Sequence, residues 1–500
     1  MKYLYGAAVQ GIQEFIFQTN KLKEIVGASE LVEEICTIKF ESLLGENVNL
    51  ADDKNAIVHA AGNIKYIFDK KETCEKIVRC FPKELTQFAP GVTVSQAVVS
   101  FEEENFSVAV KELEVKLRIQ RNKPMRYPML GLMGIERSQQ TGLPVCKIKD
   151  NKHLDAATLA KLYSERFSDK QTTQKLFTKA FGKSDFKISK IPFEISDMTG
   201  KNDWMAVIHA DGNGLGQIVQ KIGTNPEEFK KFSEALDKVT ITAAQNAYKA
   251  MNIESLPVIP IRPIVLGGDD LTVICRADLA IEYVKCFIQE FEERTKEKLG
   301  KTLKDNKVFN GQKDYLTACA GIAYIKSSFP FYYGYELAEA LCSRAKADAK
   351  AGLVNGELPA SCIMFHKVQD SFIEDYNIVV ERELKPQDNI SFEFGPYYMK
   401  SKEGRWTIED LTTQIKKFDN SIRGNALKSG LRNWLSLIHT NVGQAEQFLE
   451  RLKEVSGEYT FLKNIINKKI VRDNMMVYPV YDMLAIHSIQ NQQTRKENEK

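Results

Sequence analysis

The tetrapeptide Gly267-Gly268-Asp269-Asp270 limits most strongly how this chain can fold, because short apolar runs lie on both sides of it, at 258–266 and 271–275. Such runs around glycine and aspartate predict a β-hairpin with the tetrapeptide at its tip. Glycine there supplies a positive φ and allows a ligand to approach the backbone. Two adjacent carboxylates repel each other unless a cation lies between them, and hard oxygen ligands suit Mg or Mn. The alternative interpretation is an ordinary Gly-Asp turn.

A second motif, Asp211-Gly212-Asn213-Gly214-Leu215-Gly216, begins where the apolar run Trp204–Ala210 ends. A strand that delivers an aspartate and then bends through glycines into a helix presents bare backbone N–H groups to a phosphate. If this strand lies beside the hairpin, its aspartate meets both hairpin aspartates, as two-metal phosphoryl transfer requires. Together the motifs predict a nucleotide site. Taken alone, Asp211 could be a helix N-cap and the glycines a tight turn.

Length and composition exclude several classes of protein. A chain of 500 residues is long enough for three or four domains, and its net charge of +3 gives no bulk basic excess of the kind that marks a dedicated nucleic-acid binder. The nine cysteines include no CxxC pair, which argues against a disulfide framework and a zinc ribbon. The N-terminus lacks signal-peptide features, and no apolar run approaches the roughly 20 residues that cross a bilayer. We therefore expect a cytoplasmic protein without membrane contact.

The order of predicted elements repeats along the chain. Strand, helix, hairpin, helix and strand follow one another in residues 1–101, and the same order recurs in 201–370. This order predicts an α+β protein with two ferredoxin-like domains. The intervening segment 102–200 and the C-terminal segment 371–500 have helical spacing and are predicted to be helical domains. The first hairpin turns through Ala61-Gly62-Asn63, which has no carboxylate, so the first domain would be catalytically silent.

Two finer predictions concern the N-terminal part of the chain. Residues 14–44 have helical apolar spacing that is broken around Gly27-Ala28-Ser29, where we expect a helix to end. Clusters of basic residues could contact RNA or a triphosphate, although such runs usually mark solvated faces: Lys21, Lys23, Arg121, Lys123 and Arg126.

These residues resemble a known family, the large subunit of type III CRISPR effector complexes. Asp211–Gly216 resembles the metal-binding Asp-x-Asp-x-Leu-Gly turn of its second palm domain, and Gly267–Asp270 matches its polymerase signature. The likeness extends over most of the chain, including both palm domains. Further segments that resemble the family are Val9–Ile16, Gly27–Leu31, Thr317–Ala323, Phe329-Pro330 and Ala338–Lys346.

The resemblance implies that ATP, with two Mg or Mn ions, is polymerised into short cyclic oligoadenylates that act as second messengers. GGDEF-type diguanylate cyclases have related palms. Asp211 and Asp269 would ligate the metals and Asp270 would support or ligate them, with the Gly212 carbonyl completing a shell. The residues expected to bind nucleotide are Gly212, Asn213, Gly214, Leu215, Gly216, Gly267, Gly268 and Lys346, with Ser29 and Asn63 reaching a second nucleotide from the silent palm.

The sequence departs from the family pattern at three places. The frequent N-terminal HD nuclease domain is not expected, because the chain starts at the first palm and its six histidines form no HD pair. The zinc-binding cysteines often found between the palms are missing. Asn213 replaces the second carboxylate of the Asp-x-Asp turn, so metal affinity there should fall. His209 would lie on the strand face opposite Ala210 and is interpreted as a core histidine.

We therefore predict a metal-dependent nucleotidyltransferase that makes a short, cyclic or linear, oligonucleotide signal in antiviral defence. Its substrates would be nucleoside triphosphates, with ATP favoured, and RNA or a defence-effector protein could be a partner. One alternative is the large subunit of an RNA-guided complex whose cyclase is gated by target RNA. Another is a degenerate palm pair that only senses nucleotides; the intact hairpin motif argues against this and Asn213 keeps it open.

Overall fold

The computed structural model of the chain describes most of its residues. The described ranges are 1–45, 48–50, 52–60, 62–123, 133–149, 151–162, 175–182, 188–199, 203–222, 225–354, 356–370, 374–419, 424–456, 462, 465, 470–472 and 474–498. Arg126, one of the basic residues named above, therefore lies outside the described residues.

The first palm contains a four-stranded antiparallel sheet in the order β2-β3-β1-β4. Its first strand pairs with both the third and the fourth, and helices cover its two faces. With the observed order of elements, this sheet is ferredoxin-like, as predicted. The elements are β1 (Lys2–Gln10), α1 (Ile12–Phe17), α2 (Leu22–Glu34), α3 (Phe40–Leu44), β2 (Ala56–Ala60), β3 (Asn63–Phe68), α4 (Lys71–Phe88) and β4 (Thr93–Phe101).

The predicted helix break around Gly27 is wrong, because α2 runs through it from Leu22 to Glu34. Glycine is needed there for packing and not for a turn. A Cβ added at Gly27 would lie 1.9 Å from the backbone oxygen of Lys161. The break between helices lies earlier, at 18–21. Sequence spacing could not reveal a partner that is more than a hundred residues away.

The segment 102–200 is not purely helical, contrary to the prediction. It contains a β-hairpin whose two strands pair only with each other among the described residues. The second strand of this hairpin, Lys152–Asp155, leads directly into the helix Ala156–Leu162. This helix packs on α2 through the backbone of Lys161. The elements are α5 (Phe106–Arg121), β5 (Val145–Lys149), β6 (Lys152–Asp155), α6 (Ala156–Leu162), α7 (Lys175–Phe181) and α8 (Ile195–Thr199).

The second palm repeats the first topology. Its strands β10-β7-β9-β8 lie in the same relative order as β4-β1-β3-β2, and β11 adds a parallel strand beside β10. Asn225 caps the N-terminus of the long helix Pro226–Ala250, because its Oδ1 accepts the Glu227 N–H at 2.9 Å. The elements are β7 (Trp204–Gly212), α9 (Leu215–Ile222), α10 (Pro226–Ala250), β8 (Ile261–Gly267), β9 (Asp270–Arg276), α11 (Ala280–Asp305), β10 (Ala318–Lys326), α12 (Phe331–Lys350) and β11 (Cys362–Lys367).

The C-terminal segment is mostly helical, but the prediction of a purely helical domain is wrong. One short strand extends the edge of the second palm's sheet, and three others form a small sheet of their own. The elements are α13 (Tyr376–Val379), β12 (Ile390–Ser391), β13 (Tyr397–Tyr398), α14 (Ile408–Asp419), α15 (Gly424–Thr440), α16 (Val442–Ser456), β14 (Ile470–Arg472), β15 (Met475–Val477) and α17 (Val480–Asn498).

One apolar cluster joins the two palms. It includes Phe17 and Leu31 from the first palm together with Val207, Ile264 and Tyr335 from the second, all of them buried. The Phe17 and Tyr335 rings stack with centroids 4.1 Å apart. The two palms therefore share part of their core. None of the described helices is both long and apolar enough to cross a membrane.

Candidate active site

The predicted hairpin is confirmed, with Gly267-Gly268-Asp269-Asp270 at its tip. Gly267 pairs with Asp270 across the two strands, which leaves Gly268 and Asp269 as the turn. Gly268 has a φ of 63°, a left-handed conformation that glycine adopts without the strain of a side chain. The turn thus projects two consecutive carboxylates from the end of the sheet.

The strand β7 brings Asp211 to the same edge. Asp211 lies directly opposite Asp270 in the antiparallel pairing of β7 and β9. A Cβ added at Gly212 would lie 2.9 Å from the Asp269 Cβ and 3.1 Å from its Oδ2. Gly212 is therefore required by the close approach of the hairpin turn. The two sequence motifs meet, as the sequence predicts.

The three aspartates are crowded. Burial, a hydrogen bond with Asp211 and the charges of Asp211 and Asp270 raise the pKa of Asp269 well above its ordinary value. Burial, Asp211 and Glu339 raise the pKa of Asp270 to about 7, although Lys346 opposes this. The Asp270 side chain is 37% exposed, but its Oδ1 is buried and accepts no hydrogen bond. The positive charge near these carboxylates is thus too small to balance their negative charge.

Lys346 belongs to this cluster. It extends from α12, and its Nζ donates to Asp211 Oδ2 and, at 3.0 Å, to the Gly212 carbonyl. Burial disfavours the Lys346 charge, but Asp211 outweighs this effect and raises its pKa. Lys350, one turn further along the helix, is exposed. Of these two lysines, which lie four residues apart on one helix, the structure places Lys346 against the aspartates and Lys350 in solvent.

His209 lies closer to the site than the sequence analysis expects. It is buried, with Nδ1 3.3 Å from Thr272 Oγ1 and 3.5 Å from Asp270 Oδ1. Burial lowers its pKa, which favours the neutral ring. The strand alternation that places His209 opposite Ala210 also places it on the face of Asp211, because residues two apart share a face.

The Asn213 side chain points away from the aspartates. It is buried, and its amide nitrogen donates to Thr317 Oγ1 at 3.1 Å and to Cys319 Sγ at 3.4 Å. Its backbone N–H donates to the Thr317 carbonyl at 2.8 Å. Because these donors are used inside the protein, Asn213 would have to exchange these hydrogen bonds to donate to a nucleotide, and its binding role stays a prediction.

The rest of the glycine-rich turn leads from Asn213 into α9. Gly214 has a φ of 82°, and a Cβ there would lie 2.8 Å from the Phe309 ring. A Cβ at Gly216 would meet nothing within 4 Å. Leu215 begins α9, and Gly216 is its second residue. The first turn of this eight-residue helix therefore starts beside the aspartates, with open space at Gly216.

A cavity of about 620 Å³ lies between the palms and reaches Asp270. Ser29 and Asn63, which the sequence assigns to a second nucleotide, line its first-palm side. The Ser29 hydroxyl donates to the Ile264 carbonyl of β8. Other polar residues on the wall are Gln13, Glu33, Arg121, Tyr335 and Glu339. Of the remaining basic residues, Lys21 pairs with Glu24 at 3.0 Å.

The aspartates are chemically suited to a divalent cation. The raised pKa values of Asp269 and Asp270, and the buried Asp270 Oδ1 that accepts no hydrogen bond, show a deficit of positive charge that a cation would fill. Across the part of the chain that the structure describes, no three His, Cys, Asp or Glu side chains form a ready ligand set. A cation would therefore need Asp211 to exchange its contact with Lys346 for a metal contact.

A known family model matches the second palm of this chain. Residues 204–354 match the family model of the Cas10/Cmr2 second palm domain, a range that contains all three aspartates and Lys346. A comparison with curated protein sequences gives no match.

Solved structures of the Csm1-Csm4 cassette are similar over almost the whole chain. The complex with pppApApA has a TM-score of 0.55 at 15% identity, and the complexes with cA3 and cA4 have TM-scores of 0.53 and 0.52 at 14% identity. Each match covers 98% of this chain and 69% of the solved chain. The resemblance seen in the sequence is confirmed: residues 204–354 resemble the Cas10/Cmr2 second palm domain, and the chain has the two-palm fold found in the Csm1-Csm4 cassette.

Proposed function

We propose that this protein is a nucleotidyltransferase that joins nucleoside triphosphates, with ATP favoured, into a short and cyclic oligonucleotide signal. The observation that carries the proposal is the meeting of Asp211, Asp269 and Asp270 at one edge of the second palm's sheet, where Asp270 lines a cavity between the two palms. The Csm1-Csm4 structures with pppApApA, cA3 and cA4 support this substrate and product class.

In the proposed reaction, the 3′-hydroxyl of one nucleotide attacks the α-phosphorus of another. A new P–O bond forms, the bond to the leaving pyrophosphate breaks, and the hydroxyl proton passes to water. The N–H groups at the start of α9 would face the triphosphate, and Gly216 leaves room for it. Lys346 would offset phosphate charge as the pyrophosphate leaves.

Asp211, Asp269, Asp270 and the Gly212 carbonyl would hold two Mg or Mn ions. When bound, these ions supply positive charge that stabilises the attacking and leaving oxygens. The chain's own contribution is orientation: the hairpin turn fixes two carboxylates, and the β7–β9 pairing fixes the third. Positioning of this kind supplies much of the catalysis in phosphoryl transfer.

The cavity would hold the second nucleotide. Ser29 and Asn63 lie on its first-palm wall, and Asp270 lies on the opposite side. In the observed conformation the Ser29 hydroxyl is already bound to Ile264, so contact with a nucleotide would require it to rotate. Asn63 is exposed on the same wall.

A second candidate function is a large subunit whose cyclase is gated by target RNA in an antiviral complex. The matched structures are Csm1-Csm4 cassettes, which favours a protein partner. Both candidates use the same aspartates. They differ in whether the chain alone makes product.

The test is incubation of the purified protein, checked for co-purified RNA, with each NTP and dNTP plus Mg or Mn. Products are separated by mass, and an Asp269→Ala/Asp270→Ala variant is run in parallel. We expect a short oligonucleotide that the variant does not make. Product that appears only with added RNA or a partner protein supports the gated subunit. Nucleotide binding without turnover under every condition overturns the proposal of an enzyme.

A further inference from the structure

The catalytic turn is held from outside the aspartate cluster. The Gly268 N–H donates to Asp237 Oδ1 at 3.1 Å, and the Gly268 carbonyl accepts from the Thr240 hydroxyl at 2.6 Å. Asp237 and Thr240 are three residues apart on α10 and therefore lie on one face of that helix. Both backbone polar groups of Gly268 are thus fixed by one helix.

Lys179 holds the strand just before the turn. Its Nζ donates to the Leu266 carbonyl at 3.0 Å and lies 3.8 Å from Asp237 Oδ1. It extends from α7, which is anchored on α10: the Lys179 carbonyl accepts from Gln245 Nε2 at 2.9 Å. We call Lys179, Asp237 and Thr240 the turn brace.

The brace also reaches the silent palm. The Lys179 Nζ lies 3.3 Å from Glu33 Oε1, and Glu33 extends from α2 and lines the cavity between the palms. One lysine is therefore shared by a carboxylate of the first palm and a carboxylate that holds the catalytic turn. Lys179 and its two acidic partners are partly buried, with side chains 21% to 29% exposed, so solvent screens them less than surface pairs.

We propose that Lys179 is a positioning residue that couples occupancy of the cavity to the geometry of the Gly268-Asp269 turn. A ligand that contacts Glu33 would alter the ion pair between Glu33 and Lys179. The contacts of Lys179 with the hairpin would then change as well. The proposal rests on the proposed function for its catalytic consequence. The mechanical link between Lys179 and the hairpin does not depend on that function.

The structural arm of the test needs no activity. Hydrogen exchange of peptides covering 261–276 is measured by mass spectrometry in the full chain and in Lys179→Met, Lys179→Arg and Thr240→Val variants. Lys190→Met is the matched control, because Lys190 comes from the same segment and donates to a backbone carbonyl, that of Glu254, at 2.7 Å. We expect exchange about fivefold faster in Lys179→Met and Thr240→Val. Lys179→Arg and the control should match the unaltered protein.

The kinetic arm uses the same variants. Lys179→Met should lower kcat about tenfold with little change in KM, because the turn carries Asp269 while the triphosphate is bound mainly elsewhere. Lys179→Arg should recover most of the rate. If the unaltered chain makes no product with any nucleotide, the proposed function fails while the exchange arm still tests the brace.

Each possible result of the exchange experiment either supports or overturns the positioning role of Lys179. Local acceleration of hairpin exchange in Lys179→Met and Thr240→Val, with unchanged thermal midpoints, supports the positioning role. Exchange in 261–276 that equals that of Lys190→Met overturns it. Acceleration spread evenly over the chain also overturns it, because that result would mean general destabilisation.

Discussion

Asp211 and Asp270 lie directly opposite each other on neighbouring antiparallel strands, and Lys346 reaches only the first of them through a direct hydrogen bond. Asp270 is left with a buried oxygen that accepts no hydrogen bond. This asymmetry distinguishes two carboxylates that the strand pairing makes equivalent. A cation that binds at the site should therefore stabilise the charged form of Asp270 more than that of Asp211. This asymmetry leads to the first prediction.

Replacing Asp270 with Asn should abolish synthesis and stabilise the metal-free protein. The loss of activity should exceed about 100-fold, because a charged group of the site is removed. The free energy of unfolding should rise by about 1 kcal/mol at pH 8, a figure that allows for the partial exposure of the side chain. Product formation and thermal unfolding are measured together, and Asp305→Asn on the exposed end of α11 is the control. A less stable Asp270→Asn protein would contradict the charge crowding.

Replacing Gly212 with Ala should displace the turn beside it. The added methyl carbon would lie 2.9 Å from the Asp269 Cβ, which is closer than such atoms can approach, so the turn must move. We expect a loss of about 1–3 kcal/mol in stability and a clear loss of activity. Denaturant unfolding and initial rates provide the measurement.

The matched control for Gly212 is Gly134→Ala, since a methyl group there would meet nothing within 4 Å. Its stability and rate should stay close to those of the unaltered protein. Equal behaviour of the two alanine variants would show that the contact with Asp269 does not constrain the site.

Lys346 and Lys350 provide a paired comparison on one helix. Lys346→Gln should lower the rate about 10- to 100-fold, because the leaving pyrophosphate loses a counter-charge. Lys350→Gln should change the rate less than about twofold, since that side chain is exposed. Initial rates at saturating nucleotide decide between them, and similar losses in both variants would argue against a specific role for Lys346.

His366 predicts a pH dependence of stability. It is buried between Tyr376 and Tyr481, and burial lowers its pKa from 6.5 to about 4. In the unfolded chain the ring binds a proton below pH 6.5, while in the folded protein it stays neutral until about pH 4. Stability is therefore lost as the pH falls from 6.5 to 4, by about 3 kcal/mol in all.

The measurement is urea unfolding at several pH values from 4 to 7 for the unaltered protein and for His366→Gln. The variant should lose less stability over this interval, whatever its stability at pH 7. His153→Gln, which changes a partly exposed histidine, is the control and should keep the original dependence. Parallel curves for all three proteins would contradict the prediction.

The sequence predicted the fold well where local pattern decides it. Apolar alternation and turn residues identified both palms, and the motifs of Asp211 and Gly268 met as their strand and turn signals required. It failed where distant contacts decide. Gly27 sits inside a helix because the Lys161 backbone, more than a hundred residues away, packs against it.

The smallest elements were also missed for a physical reason. The strands Ile390–Ser391 and Tyr397–Tyr398 have two residues each, too few for any alternation to appear. Lys179 was missed for a different reason. Its proposed positioning role depends on contacts with Leu266 and Glu33, which are distant in the sequence. Functional positioning by remote residues leaves no local periodic signal.

The apolar cluster shared by the two palms bears on how the chain can evolve. Phe17 and Leu31 of the first palm pack in the same cluster as Val207 and Tyr335 of the second. Without the first palm, part of the interior of the second would become an apolar surface open to water. The second palm therefore depends on the first for its interior, whatever chemistry the first performs, which favours the inheritance of the two palms as one unit.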